Sequence, residues 1–274
     1  DRAKDFPLSY LRKHSFITAP ASDKAGTVRG LLQFFGISSM DAFQATWNQG
    51  AVAYRRSAVG HHDPHRLATW LRAAERSCTP GDFPIYDREN LEAALPELRS
   101  LTVEDPVQAI QKAQALLRDC GVALTLVPAV PGLGTHGATR WIQGHPLIQL
   151  SDLWKRDDQL WFTLFHEIAH VLLHESNGLY LNNDHDNLEK EADAYASRFL
   201  VPEDYEDRLP RHRNLDEVKA LAKELGIAPA SCWDRRSIAP ATTPGGTASS
   251  ERCRLRAWLR RLRLNSDRQV LHLL

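Results

Sequence analysis

Cysteine is scarce in this sequence: the 274 residues hold four, Cys78, Cys120, Cys232 and Cys253, far apart and without a C-x-x-C pair. That spacing argues against a disulfide framework and makes a reducing cytoplasm the expected compartment. Long apolar runs are also missing. None approaches the roughly 20 residues that a membrane-spanning helix needs, and no secretory leader is recognised, so no membrane partner is expected. Neither sign of charge is in excess. Lys plus Arg and Asp plus Glu each number 34, so the overall charge gives no reason to expect nucleic acid or a membrane surface as an obligatory partner. What remains is ordinary globular material, 43% hydrophobic, 25% charged and 8% aromatic. The chain is long enough for one large domain or for a catalytic domain with helical additions. It begins at Asp1 rather than at a methionine, and a further N-terminal piece is the expectation.

The first hundred residues read as short helices. Val28, Leu31, Leu32 and Phe35 give an amphipathic stripe that Gly36 stops. Asp63 and Pro64 form a cap and first-turn pair before Leu67, Trp70, Leu71 and Ala74. Asp105 and Pro106 repeat that grammar before Val107, Ile110, Ala113 and Leu117, and Gly121 ends the segment. The period then changes. Val122, Leu124 and Leu126 alternate, a Pro/Gly-rich loop follows from Pro128 to Gly137, and extended runs around Arg140 to Gln143 and Pro146 to Leu150 complete a small antiparallel sheet. Helical periodicity returns from Asp157 to about His174, from Asn187 to Leu200 and from Asp216 to Leu225. Helices, then a small sheet, then helices define an α+β chain. After Pro229, SIAPATTPGGTASS reads as a linker, and beyond it Leu255, Trp258, Leu259 and Leu262 line a helix whose other face is rich in arginine.

The chemistry concentrates in HEIAH. Histidines four apart on a helix stand on one face one turn apart, a pincer for one ion. His166 and His170 are therefore metal ligands, and Glu167 is placed to act on a water molecule as general base. Zinc in a catalytic site takes three protein ligands and leaves a position open, so a third donor is required. Glu189, on the next helix, fills that role, and Asp193 one turn on is placed to accept the spare ring N–H of a ligating histidine. Alternatives stay open: Asp186 and Glu189 also spell a capping box, and Glu191 is another acidic candidate. His174 reads as a partner of the helix dipole. The run His61, His62, Asp63, Pro64, His65 reads as a solvated helix start, and His136, His145 and Tyr195 are candidates for a second polarising donor.

FTLFHEIAHVLLHE, followed by EKEADAYASRFLVPEDY and preceded by GATRWIQGHPLIQLS, resembles the ImmA/IrrE family of bacterial zinc metallopeptidases over roughly Leu101 to Pro229. The lead from DFPLSYLRKHSFI through FFGI to WLRAAE is similar to a subgroup, often described as HigA-like antitoxins, in which a helix-turn-helix precedes the peptidase. The resemblance implies a zincin-like arrangement with the sheet packed on the HExxH helix and a second ligand helix. It also implies His166, His170 and Glu189 as zinc ligands, Glu167 as general base, and a helix-turn-helix repressor as the protein substrate in a stress-response or mobile-element system. The chain departs from the family where SCWDRRSIAPATTPGG follows GIAP, which reads as a divergent end.

The resulting expectation is a helical region at 1–100, a metallopeptidase domain at 101–229, and a linker with a basic amphipathic helix at 230–274. Pro146 to Leu150 is expected to offer an edge to which a substrate strand adds. The competing expectation is a DNA-binding antitoxin or transcription regulator with a structural or vestigial metal centre. It draws on Arg55, Arg56, the basic helix and a missing N-terminal DNA-binding part.

Overall fold

A computed structural model of the chain describes residues 2–47, 63–78, 83–153, 157–174, 179–181, 187–205, 208 and 215–229. Arg55, Arg56, His61, His62, Asp186 and everything from residue 230 onward, including the linker and basic helix, lie outside the described residues.

The helix starts follow the capping grammar of the sequence. Helix α1 (Leu8–Lys13) leads to α2 (Lys24–Phe35), where the Asp23 side chain accepts from Gly26 N and Gly36 closes the helix at φ 65°. Residues 40–47 form α3. Helix α4 (Pro64–Ser77) is capped by Asp63, α5 (Arg88–Ser100) by Asp87 and α6 (Pro106–Asp119) by Asp105, each carboxylate accepting backbone N–H groups that a helix start leaves unpaired. His65, expected to be solvated, instead stacks on Phe43 with centroids 5.4 Å apart. The cap holds its backbone while its ring joins the aromatic core.

Strands β1 (Ala123–Leu126), β2 (Gly137–Ile142), β3 (His145–Leu150) and β4 (Leu179–Leu181) form one sheet in the order β1-β3-β2-β4. The α+β class holds, but the sheet is mixed rather than antiparallel throughout. β1 runs parallel to β3, with Ala123 opposite Leu147, while β2 is antiparallel to both β3 and β4. Gln143 (φ 51°) and Gly144 (φ 86°) turn β2 into β3, two consecutive left-handed residues that match the twist of the flanking strands. A further correction concerns Pro146 to Leu150. That strand lies between β1 and β2, so both its sides are already hydrogen-bonded and no substrate strand can add there; among the described residues the edges of the sheet are β1 and β4.

The sheet is covered on both faces, and this decides where the site sits. Ala123, Val127, Ala138 and Leu147 pack with Leu31, Phe34, Phe35, Trp70 and Leu71 of α2 and α4. Leu124, Leu126, Ile148 and Leu150 pack with α5, α6 and α7 (Asp157–Leu173) and with α8 (Asn187–Leu200) and α9 (Leu215–Leu225). On β2 the alternation of side chains sends Arg140 toward α4, where it meets Glu75 at 2.5 Å and the Leu71 carbonyl. Gly137 and Thr139 face α7 instead. No described helix is long and apolar enough to cross a membrane.

Candidate metal centre

Helix α7 carries the site because a wide apolar face clamps it into the core, with a polar stripe beside it. Leu160, Trp161, Leu164, Phe165, Ile168, Ala169 and Leu172 are all buried. Four fully buried side chains of that size contribute on the order of 6–12 kcal/mol, against roughly 3–5 kcal/mol for one uncompensated buried charge. The helix can therefore hold His166, Glu167 and His170 at 1%, 0% and 0% exposure.

Helix α8 packs against α7 and brings Glu189 to the histidine pair. His166 Nε2 lies 3.1 Å from Glu189 Oε2, His170 Nε2 lies 3.0 Å from Glu189 Oε1, and the two ring nitrogens are 3.1 Å apart. Among the described residues, these three form the group able to hold a metal ion. The Nδ1 side of His166 faces Asp193 Oδ1 at 2.8 Å. The two pairs that helical spacing set on separate helices thus converge. Glu191 points away, its carboxylate 62% exposed and 3.4 Å from His174 Nε2.

Two observations test whether these residues fit zinc. Donors about 2.0–2.2 Å from a tetrahedral ion are about 3.3–3.6 Å from one another. The separations here, 3.0 to 3.1 Å, run between the two histidine nitrogens and from each nitrogen to its own oxygen of Glu189, a spacing slightly shorter than that of ligands around one ion. The second is electrostatic. Burial would lower the pKa of His166, but hydrogen bonds to Asp193 and Glu189 and the nearby Glu167 raise it to about 10. Burial lowers that of His170 despite its contact with Glu189. Burial would likewise raise the pKa of Glu189, yet the two histidines hold it down at about 2. Glu189 and Asp193 thus favour positive charge at this cluster, the charge that a metal ion would bring. The donor set and its charge both suit zinc.

Glu167 stands beside this triangle. Burial pushes its carboxyl up to about 8, against the lowering influence of His166 and Thr139. Thr139 donates to Glu167 Oε2 at 2.7 Å, while Oε1 is buried without a hydrogen-bond partner. A lone acceptor in so dry a position is where a proton from a reacting water would be received. Gly137 makes room for it: a Cβ there would lie 2.3 Å from Glu167 Oε1 and 2.8 Å from Thr163 Cγ2. Neither Gly137 nor Thr139 was singled out from sequence. Their signal is that residues two apart on a strand share a face, which becomes informative only once that face is known to lie on α7.

Gly137→Ala is accordingly expected to dislodge the Glu167 carboxylate, lowering kcat far more than it raises KM, with zinc still bound. Metal analysis together with single-turnover cleavage checks this; an unchanged kcat would contradict it.

Of the proposed second polarising donors, Tyr195 and His145 are not gathered at the cluster. Tyr195 is 200° around α8 from Asp193 at 100° per residue, stacks with Phe199, and lies beside Glu92 and Arg88 of α5. His145 is at the far end of the β2–β3 hairpin, beside the Gly121 carbonyl. His136 immediately precedes Gly137, and burial lowers its pKa.

A small sheet, a buried helix presenting two histidines and a glutamate, and a third donor from the following helix together define a metallopeptidase-like domain. Residues 129–231 match the family model described as Peptidase_M78, IrrE N-terminal-like domain. This segment, which holds all three donors and Glu167, belongs to the ImmA/IrrE family, a family of zinc-metallopeptidase type. No curated protein matches the chain.

Proposed function

We propose that the protein is a zinc-dependent endopeptidase of narrow specificity whose substrate is a helix-turn-helix transcriptional repressor, acting in the cytoplasm in a stress-response or mobile-element system. The observation that carries the peptidase reading is the unpartnered, buried Oε1 of Glu167 beside a His166–His170–Glu189 donor triangle. The repressor as substrate is supported by the family resemblance alone. The part of the chain from 101 to 229 bears the site; of the helices before it, α2 and α4 back the sheet from its other face, while α5 packs on the face that carries the site.

In this reading His166, His170 and Glu189 hold the ion and Asp193 orients His166 from behind. Bound zinc supplies a Lewis acid that makes a water nucleophilic near neutral pH and polarises the scissile carbonyl. Glu167 receives the proton at Oε1 and returns it to the leaving amine nitrogen. Thr139 fixes the other carboxylate oxygen, so the accepting atom keeps one position, and the surrounding apolar side chains exclude bulk water.

Incubating the zinc-loaded protein with a helix-turn-helix repressor encoded beside it is expected to give a small number of discrete fragments, identified by mass spectrometry. A zinc chelator should abolish cleavage and added zinc restore it. Cleavage that survives chelation would sink the metallopeptidase reading. Failure to cut any such repressor while cutting another protein would sink the substrate assignment.

A further inference from the structure

His166 and His170 do not have the same surroundings on their outer sides. Where His166 faces a carboxylate, Asp193, His170 faces a third histidine: its Nδ1 lies 2.8 Å from His174 Nδ1. His174 is one helical turn further along the same stripe, with its side chain 3% exposed. Its Nε2 is 3.4 Å from Glu191 Oε2. Tyr180 of β4 stacks on His170 with centroids 4.7 Å apart and packs on His174 at 5.3 Å, so both rings are held. A histidine that merely complements the helix dipole would sit in solvent. This one is enclosed, with both nitrogens directed at partners.

We propose that His174 is a positioning residue of the metal centre, accepting a hydrogen bond from His170 and passing its own ring proton toward Glu191. The inference rests on the zinc reading above, and its polarity follows from proton counting. A nitrogen that binds zinc carries no proton, and neutral imidazole has one, so with Nε2 of His170 on the metal the proton sits on Nδ1. The 2.8 Å contact then requires a bare Nδ1 on His174. The proton of neutral His174 must therefore be on Nε2, the atom that faces Glu191. Each link fixes the next, so His174 holds His170 in the one tautomer and ring orientation able to bind the ion. The carboxylate that usually stands behind a ligating histidine is here one residue further out. Glu191, considered from sequence as an alternative ligand, becomes the end of this chain.

The test uses the whole protein and zinc alone. Dissociation constants come from chelator competition, and the metal-free thermal midpoint is recorded for each variant. His174→Phe, which keeps the ring but cannot accept, is expected to weaken zinc binding about 10–100-fold with little change in that midpoint. His174→Asn, whose amide oxygen can accept in place of Nδ1, should recover the larger part of the loss. Glu191→Gln, at an exposed position, should cost no more than about fivefold. Independently of any variant, two-bond 1H–15N spectra of the zinc-loaded wild type should report a proton on His170 Nδ1 and on His174 Nε2. Wild-type zinc affinity in His174→Phe, or a proton on His174 Nδ1, overturns the inference and leaves the zinc site standing. A wild-type protein that takes up no zinc overturns the zinc reading itself, and this inference with it.

Discussion

Glu167→Gln is expected to retain a full complement of zinc while kcat/KM for protein cleavage falls by about 10²–10⁴-fold. Glutamine occupies the same volume between Gly137 and Thr163 and can still meet the Thr139 hydroxyl, so the shape of the pocket is kept. What it cannot do is take up a proton. The variant also separates catalysis from folding. Burial raises the Glu167 carboxyl to about 8 from 4.5, so above pH 4.5 the folded state disfavours the charged form and loses stability as the pH rises. A neutral side chain carries no such penalty, and the variant should unfold at or above the wild-type temperature near neutral pH. Metal analysis, a thermal melt and a cleavage assay on one preparation settle it. Cleavage at the wild-type rate would remove Glu167 from the chemistry, and loss of zinc would make it a ligand.

Glu189→Ala should have its effect one step earlier, on the metal itself. Among the described residues, Glu189 is the one carboxylate that touches both histidine Nε2 atoms, so removing it takes away a donor and strips both rings of their inner partner. The loss of zinc affinity should exceed the 10–100-fold or so that removal of an orienting partner costs, and cleavage should vanish at ordinary zinc concentrations. Glu191→Gln serves as the comparison, since it removes a neighbouring carboxylate while leaving the donor triangle intact. Equal zinc binding by Glu189→Ala and the wild type would reopen the choice of third ligand.

That choice illustrates what could be read from the chain. His166 and His170, like Glu189 and Asp193, are separated by a helical turn, which a helix converts into position without knowledge of the rest of the fold; that the second pair would meet the first rested on the ExxxD pattern that follows HExxH. The helix starts at Asp63 and Asp105 were legible for the same local reason. Strand order was not. β1 pairs with β3 across an intervening hairpin, and β4, three residues long, is too short to carry an alternating pattern. The error over Pro146–Leu150 followed, since an edge and a centre strand differ in their neighbours rather than in their own residues. Thr139, Gly137 and Tyr180 escaped notice for that reason too. Each contributes through a contact across elements, and nothing in its local sequence announces it. His174 was seen, but its partner could not be, because dipole complement and hydrogen-bond acceptor differ only in burial.

The closed circuit of contacts among His166, His170 and Glu189, with Asp193 behind His166, has a consequence for the order of folding and metal uptake. In a small zinc finger the ligands repel or stay solvated until the ion arrives, so metal uptake and folding are one event. Here the polar groups answer one another across two helices that are already anchored by apolar side chains. On the proposed zinc reading, the polypeptide is therefore expected to fold first and take up the ion afterwards, so that the metal-free protein should already be folded.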